Sequence, residues 1–370
     1  MYRLLLIKRL IEDIFLLPFI GTGRVIAFFK PLKKSYRIYF FIPFYHIGGA
    51  EKVHAQVIQA TGSNDCIIFF TRKSHNEGFL EEFKKSGCDI KDISAFTDNK
   101  WLYFLNLIYR GIITGYINSQ KQKPVVFNGQ CNFGYKISPW VNKEIKQIEL
   151  IHSFNSFSFI RTPFLTFIWK TVMISQQRIA NHLSYYRKIG IPAEFDNKIQ
   201  YIPNAISLPA TIKEKDKEKF TVLYVGRGGV EKRLHLVLQI AKQLQEKDPG
   251  ISFEILGDVS DVINPPEYPF VKFYGNQTSE TLINNIYAGA HLLILTSSTE
   301  GFPLVVIEAM ANGCAILATP VGDIPLHVKN EENGCLFTSS EDENKIVAEG
   351  IAYIRQLKGN RLELESISMK

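Results

Sequence analysis

Residues 220–247 read FTVLYVGRGGVEKRLHLVLQIAKQLQEK. The first six form a β-rich run, apolar but for Thr221, the composition of a strand buried on both faces. A glycine-rich turn, Gly226-Arg227-Gly228-Gly229, ends the run, and from about 232 to 247 apolar residues recur at helical spacing. The same alternation continues on both sides. Upstream, strands are expected at 36–43, 66–71, 124–127 and 149–152, with helices at 49–60, 79–85 and 101–116. Downstream, strands are expected at 251–256, 270–274, 291–295 and 314–318, with helices at 279–288 and 303–312 and a last helical pattern at 348–357. Apolar strands separated by helices imply parallel sheets covered on both faces, and right-handed crossovers make each a doubly wound α/β unit. The run 213–219 (KEKDKEK) alternates charge, holds nothing to bury and reads as a solvated connector. The expected architecture is therefore two Rossmann-like domains, 36–205 and 206–370, facing a central cleft and preceded by an extension, 1–35.

Composition agrees with this. The chain has 370 residues, 46% hydrophobic and 21% charged, which supports packed cores and excludes a disordered chain. Lys and Arg outnumber Asp and Glu by 43 to 36, but residues 1–40 hold eight of the basic residues and only two acidic ones. Six of the seven excess charges lie there, so the rest lacks the fold-wide basic stripe of a nucleic-acid binder. The five cysteines (Cys66, Cys88, Cys131, Cys314, Cys335) are odd in number, dispersed and never in a C-x-x-C pair. They suit neither a disulfide framework nor a zinc site, and a reducing, cytoplasmic compartment is expected. Residues 14–29 are apolar but interrupted by Pro18, Gly21, Gly23 and Arg24, and they fall short of the roughly 20 residues a membrane span needs. No small-residue cleavage site follows. One reading is an interfacial helix with Phe15, Leu16, Leu17, Phe19 and Ile20 toward lipid and its basic residues toward anionic headgroups. The other is a helix packed on the first domain.

The densest chemical signal is 299–310 (TEGFPLVVIEAM). A strand ending in Thr296-Ser297-Ser298 gives way to a loop holding Glu300, and Pro303 suits the first helical position. Backbone amides and the helix dipole there make an anion site. Glu308 lies in the second turn of an apolar helix, where a carboxylate must be paired. A vicinal diol such as ribose would satisfy it, and so would a Lys or Arg. In the 220–247 segment, Arg227 and Lys232 stand at the start of a helix, where cations oppose the dipole unless an anion bridges them. A diphosphate fits, with Arg as bidentate clamp and Lys as point charge; an ordinary exposed loop is the alternative. No G-K-[ST] follows, so this is not a Walker A loop, and Ile26 at the third glycine position excludes a dinucleotide fingerprint at Gly21-Thr22-Gly23. In the first domain, Gly48 and Gly49 follow a strand and open a helix, letting a bulky group approach the backbone and its amides. Glu51 can serve as a first-turn cap there. His152 falls at the carboxyl end of a strand, where α/β sheets place ligands, although a lone histidine is more often structural.

Together these segments resemble retaining glycosyltransferases of family 4, which have the two-domain GT-B fold. The resemblance runs from about 36 to 337. It rests on Gly48-Gly49-Ala50-Glu51, Ile151-His152, Ile202-Pro203-Asn204-Ala205, Val225-Gly226-Arg227 with Lys232, Leu256-Gly257, Tyr274-Gly275, and Glu300-Gly301-Phe302 through Glu308-Ala309-Met310-Ala311-Asn312-Gly313. It implies transfer of a hexose from a nucleotide-diphosphate sugar to a glycan or lipid-linked acceptor, in bacterial-type surface polysaccharide or glycolipid synthesis. Arg227 and Lys232 would bind the diphosphate and Glu308 the ribose. Glu300 and the amides of Gly301, Phe302 and Leu304 would meet the sugar and its phosphates. His152 and the Gly48-Gly49 loop would come from the acceptor domain, with Gly49 also toward the donor. His152 and Glu300 are the expected catalytic residues. The family is described by front-side attack, in which the leaving diphosphate helps take the acceptor's proton. No metal cluster stands in the sequence, and no cofactor beyond the donor is expected. The protein is expected in the cytoplasm, peripheral on the inner face of an anionic membrane through 1–35, with no nucleic-acid partner.

Three departures accompany the match. Pro303 stands where many relatives have glycine, which removes one amide. Gly322-Asp323-Ile324-Pro325-Leu326 resembles a Gly-Gly-x-Pro-Glu segment but replaces the second glycine and the glutamate. Relatives commonly continue into a final helix that crosses back to the first domain, so a chain ending at Lys370 is expected to lack it. A catalytically inactive GT-B partner subunit and a sugar-nucleotide epimerase on the same fold are the competing readings.

Overall fold

The computed structural model describes residues 1–154, 156–209 and 211–360. The chain divides into two compact units, Met1–Pro203 and Asn204–Lys370. The first contains β1 (Ile38–Ile42), β2 (Cys66–Phe70), β3 (Asp89–Asp92), β4 (Val125–Asn128), β5 (Lys146–Ile151), β6 (Lys170–Met173) and β7 (Ile199–Tyr201), in the order β3-β2-β1-β4-β5-β6-β7. Every neighbouring pair is parallel. Along β1, Tyr39 and Phe41 enter one apolar cluster and Phe40 and Ile42 another, so both faces of the sheet are covered.

The second unit contains β8 (Phe220–Val225), β9 (Ile251–Leu256), β10 (Val271–Gly275), β11 (Leu292–Leu295), β12 (Ala315–Ala318) and β13 (Gly334–Leu336), in the order β10-β9-β8-β11-β12-β13. All pairs are again parallel. Val222 and Tyr224 face one cluster and Leu223 the other. Strand order reverses once in each sheet, between β1 and β4 and between β8 and β11. Loops leaving the carboxyl ends of those strands diverge to opposite faces, which is where open α/β sheets bind ligands.

Residues 1–35, expected as an extension, include a helix, Tyr2–Phe29, that packs within the first unit against the helix Tyr103–Asn118. Contact is backbone to backbone. A Cβ on Gly23 would lie 2.2 Å from the Ile108 carbonyl oxygen, one on Gly111 2.3 Å from that of Ile20, and one on Gly115 2.7 Å from Ala27 Cβ. Small residues at four-residue spacing allow such an approach, and this packing carries the helix through Pro18. It also corrects the lipid-facing set: Ile20 is 2% exposed because it shares the packed side with Gly23 and Ala27. Leu16 and Phe19 are partly buried, whereas Phe15 and Leu17 are exposed.

The 213–219 run is corrected as well. Lys215 leaves the solvated connector and inserts its ammonium between two helix ends, donating to the carbonyls of Ala290 and Asn312. Helix carbonyl ends carry partial negative charge and attract a cation. Burial pushes the Lys215 ammonium below its ordinary range.

Candidate functional site

In the second unit, the loop after β8 begins with a close approach between backbones. Gly226 donates its amide to the Leu256 carbonyl, and Gly257, at φ +128°, lies so near that a Cβ would stand 2.1 Å from the Gly226 oxygen. Only glycine fits there. The same loop carries Arg227 and Lys232. The Arg227 side chain is 79% exposed, with Glu231 3.8 Å away. Lys232 is largely buried and places Nζ 2.6 Å from Oε1 of Glu300, on the loop after β11.

Arg233, which the sequence reading missed, stitches these two loops together. It adopts φ +47°, unusual for a non-glycine residue, and donates from Nε to the Thr296 carbonyl at 2.7 Å and from its terminal nitrogen to that of Ser297 at 3.2 Å. The Ser298 amide donates to the Glu231 carbonyl at 2.8 Å. The loop after β12 joins from the other side. Gly322, at φ +60°, abuts the Glu300 and Gly301 carbonyls, and the Asp323 amide donates to the Gly301 oxygen at 2.8 Å. Phe302 is buried and stacks on His327 with ring centroids 4.0 Å apart.

The helix that follows is Leu304–Ala311. Pro303, expected at the first helical position, instead precedes it with ψ 132°, an extended residue whose carbonyl accepts from Val306. The first amides of this helix, Leu304 among them, lack intrahelical acceptors. Glu308 lies further along it, where Tyr287 donates its hydroxyl to Oε2 at 2.7 Å. Tyr287 is buried, and burial together with the neighbouring carboxylate holds its hydroxyl well above the usual phenol range. It therefore stays a donor. Nothing in the sequence pattern of 280–289 marks it out.

In the first unit, Gly48 caps the helix Gly49–Thr61 in an extended conformation, and the Glu51 carboxylate folds back over Gly48. The same helix carries His54, also missed, whose Nε2 is 2.9 Å from Nε2 of His152 at the end of β5. Gly129 makes room for this pair, since a Cβ there would lie 2.6 Å from His54 Nε2. The His152 amide donates to Oε1 of Gln130 at 3.2 Å. Burial drives the His54 imidazole well below its ordinary range and His152 down to about 4. Both rings are neutral at pH 7, so one ring donates a proton that the other accepts. In the second unit the expected residues thus lie on the switch-point loops after β8 and β11 or on the helix the latter opens, whereas in the first unit Gly48 and Gly49 follow the switch-point strand β1 and His152 follows β5. Among the described residues, no group of three His, Cys, Asp or Glu side chains is placed to hold a metal ion.

Residues 210–365 match the family model for glycosyl transferases group 1, nearly the whole second unit. The second unit belongs to that family. An uncharacterized 41.2 kDa protein of the Klebsiella pneumoniae cps region is 30% identical over 235 residues, 58% of this chain and 63% of its own. The O-antigen chain mannosyltransferase RfbU of Salmonella typhimurium is 25% identical over 199 residues, 50% of this chain and 53% of its own. The chain spans less than two thirds of either curated relative. In fold, Anabaena HepE, solved with UDP and glucose, aligns at a TM-score of 0.68 over 90% of this chain and 93% of its own, at 15% identity. The group 1 domain, and the parallel-sheet unit before it, are the two Rossmann-like halves of a GT-B fold.

Proposed function

We propose that this chain is a retaining glycosyltransferase that moves a hexose from a nucleotide-diphosphate sugar to a glycan or lipid-linked acceptor in the synthesis of a surface polysaccharide or glycolipid. One observation carries the reading: Lys232 pairs with Glu300 across the two loops at the switch point of a group 1 domain, and Arg227 stands exposed on the first of those loops. A diphosphate there meets the Lys232 ammonium, the exposed Arg227 guanidinium and the amino end of the Leu304–Ala311 helix. Glu308, oriented by Tyr287, suits the two hydroxyls of a ribose. RfbU and the cps-region protein support the pathway class, and the UDP and glucose of HepE support the donor class.

In the transfer, the bond between the anomeric carbon and the β-phosphate oxygen breaks, and the acceptor oxygen bonds to that carbon on the same face. The acceptor's proton passes to the departing phosphate oxygen. Arg227, Lys232 and the helix dipole stabilise the negative charge that develops on the diphosphate. Glu300 holds Lys232 in place and faces the sugar. His152, as a neutral imidazole, and the Gly48-Gly49 loop serve the acceptor side.

Calorimetric titration with UDP tests the site. Saturable binding is expected, and Arg227→Ala should weaken it by about 1.5–3 kcal/mol, the worth of a charge-assisted hydrogen bond. Unchanged affinity in that variant would overturn the diphosphate assignment. Product of inverted anomeric configuration, read by NMR, would overturn retention.

A further inference from the structure

The helix Tyr2–Phe29 turns its hydrocarbon outward. Its buried residues, Tyr2, Ile20, Gly23 and Ala27, define one side. At 100° per residue, Leu4, Ile7, Ile11, Ile14, Val25 and Phe29 fall within about 50° of a line along the opposite side. Their exposures run from 50% at Ile11 to 75% at Phe29. No charged residue shares that sector. The charged side chains turn back toward the protein or stand on the rims: Arg9 bonds the Pro163 carbonyl, Arg24 that of Trp140, and Glu12 pairs with Lys8. A surface helix ordinarily buries its apolar side, and a contiguous exposed stripe marks an interface. This one runs from Leu4 to Phe29, about 40 Å, with Pro18 and Thr22 between its two halves.

We propose that this stripe lies flat along an anionic lipid bilayer, its apolar side chains at the boundary between headgroups and acyl chains. Charge selects the bilayer over a second copy of the chain. Exposed Arg3 and Lys8 flank the stripe near its amino end, and exposed Lys30 and Lys33 follow its carboxyl end. Two copies would oppose these like charges, whereas anionic phosphates complement them. Aromatic residues point the same way. Trp101, Tyr103 and Phe104 open the companion helix and are 92%, 57% and 52% exposed, the residue type enriched at the membrane–water boundary. Among the described residues no helix is long and apolar enough to cross a membrane. Neither the donor nor the acceptor loops contribute a residue to the stripe, so membrane binding and sugar transfer can fail separately.

The test is co-sedimentation of the full chain with phosphatidylcholine vesicles, with and without about one third phosphatidylglycerol, at moderate salt. The chain should partition onto the anionic vesicles about tenfold or more over the neutral ones. Ile11→Glu with Ile14→Glu should lower that partition about tenfold or more at an unchanged thermal midpoint, since both positions are exposed. Should that midpoint fall, Lys30→Gln with Lys33→Gln decides, with an expected loss of about tenfold at low salt. A wild-type chain that stays in the supernatant overturns the proposal, as does equal binding by the deciding variant. So does light scattering that shows a wild-type dimer converted to monomer by the Ile11 and Ile14 changes.

Discussion

Replacing Tyr287 by Phe removes one hydroxyl and tests Glu308 without touching it. The Tyr287 Oη–Glu308 Oε2 distance is 2.7 Å, and Tyr287 is 1% exposed. A hydrogen bond to a charged group is worth about 1.5–3 kcal/mol. In the unliganded protein, water reaches the partly buried Glu308 and offsets part of the loss, so stability should fall by only about 1 kcal/mol. With a ribose over the carboxylate, water no longer substitutes, and about 1–2 kcal/mol should be lost from binding, roughly five- to thirtyfold in Kd. The loss should be specific to the ribose hydroxyls. Calorimetry with UDP and with its 2′,3′-dideoxy analogue separates the terms. The wild type should favour UDP by about tenfold or more, because the analogue offers the covered carboxylate no hydroxyl donors. In Tyr287→Phe that preference should shrink while affinity for the analogue stays unchanged. Equal losses for both ligands would make Tyr287 a structural neighbour only. Equal wild-type affinity for both would remove Glu308 from the ribose.

Lys215→Met keeps the aliphatic stem but removes the donor from two helix-end carbonyls, and should destabilise the second unit by about 1–3 kcal/mol. Thermal unfolding checks it, with Lys217→Met, an exposed neighbour paired to Glu214, as a control expected to change nothing. His54 and His152 bind protons less readily in the folded chain than unfolded, so their contribution is present above about pH 6.5 and is lost as pH falls toward about 4. In denaturant melts between those limits, His54→Leu should flatten the slope of stability against pH by up to about 1.4 kcal/mol per pH unit; an unchanged slope refutes it. Lys232→Met should lower both thermal stability and UDP affinity, because it leaves the largely buried Glu300 without its cation, whereas Arg227→Ala should lower affinity alone.

What the sequence made legible follows burial. Phe220–Val225 is legible to the residue because it is aromatic and β-branched or aliphatic throughout, with Thr221 its only polar member, a charge run before it and a glycine after. The strands that went unread are β3 (DIKD), β6 (KTVM), β7 (IQY) and β13 (GCL), short segments at or near sheet edges where little apolar periodicity is required. The helix Tyr2–Phe29 is legible in part, since Pro18 reads as a breaker while the helix continues through it and packs on Gly111 and Gly115 just beyond. At the site, the loops were legible because glycine, arginine and glutamate at a strand–helix junction have few other uses. His54 and Tyr287 were not, since each occupies an ordinary position on a helix and acts only through a residue distant in sequence. Arg233 was hidden for a different reason. An αL conformation predicts glycine or asparagine, and an arginine holds it here only because its guanidinium is bonded across the next loop.

Arg227 and Lys232, on the loop after β8, already have acidic neighbours. Two cations at a helix start oppose its dipole unless an anion bridges them, yet each has a carboxylate of the protein beside it: Glu300 for Lys232 and Glu231 for Arg227. Fold stability alone therefore does not demand a ligand. The two pairs differ in a way that bears on binding. Lys232 and Glu300 are close and largely out of water, and an ammonium has three donors, so Glu300 can aim the ammonium while phosphate oxygens take its remaining donors. Arg227 and Glu231 are 3.8 Å apart, and the guanidinium is solvated, so their attraction is weak. A phosphate that accepts both prongs of the guanidinium replaces that contact with a stronger one. In the proposed donor site the two cations would divide the work: Lys232 is already held in the folded loop by Glu300, and Arg227 would gain its main partner only when a diphosphate binds.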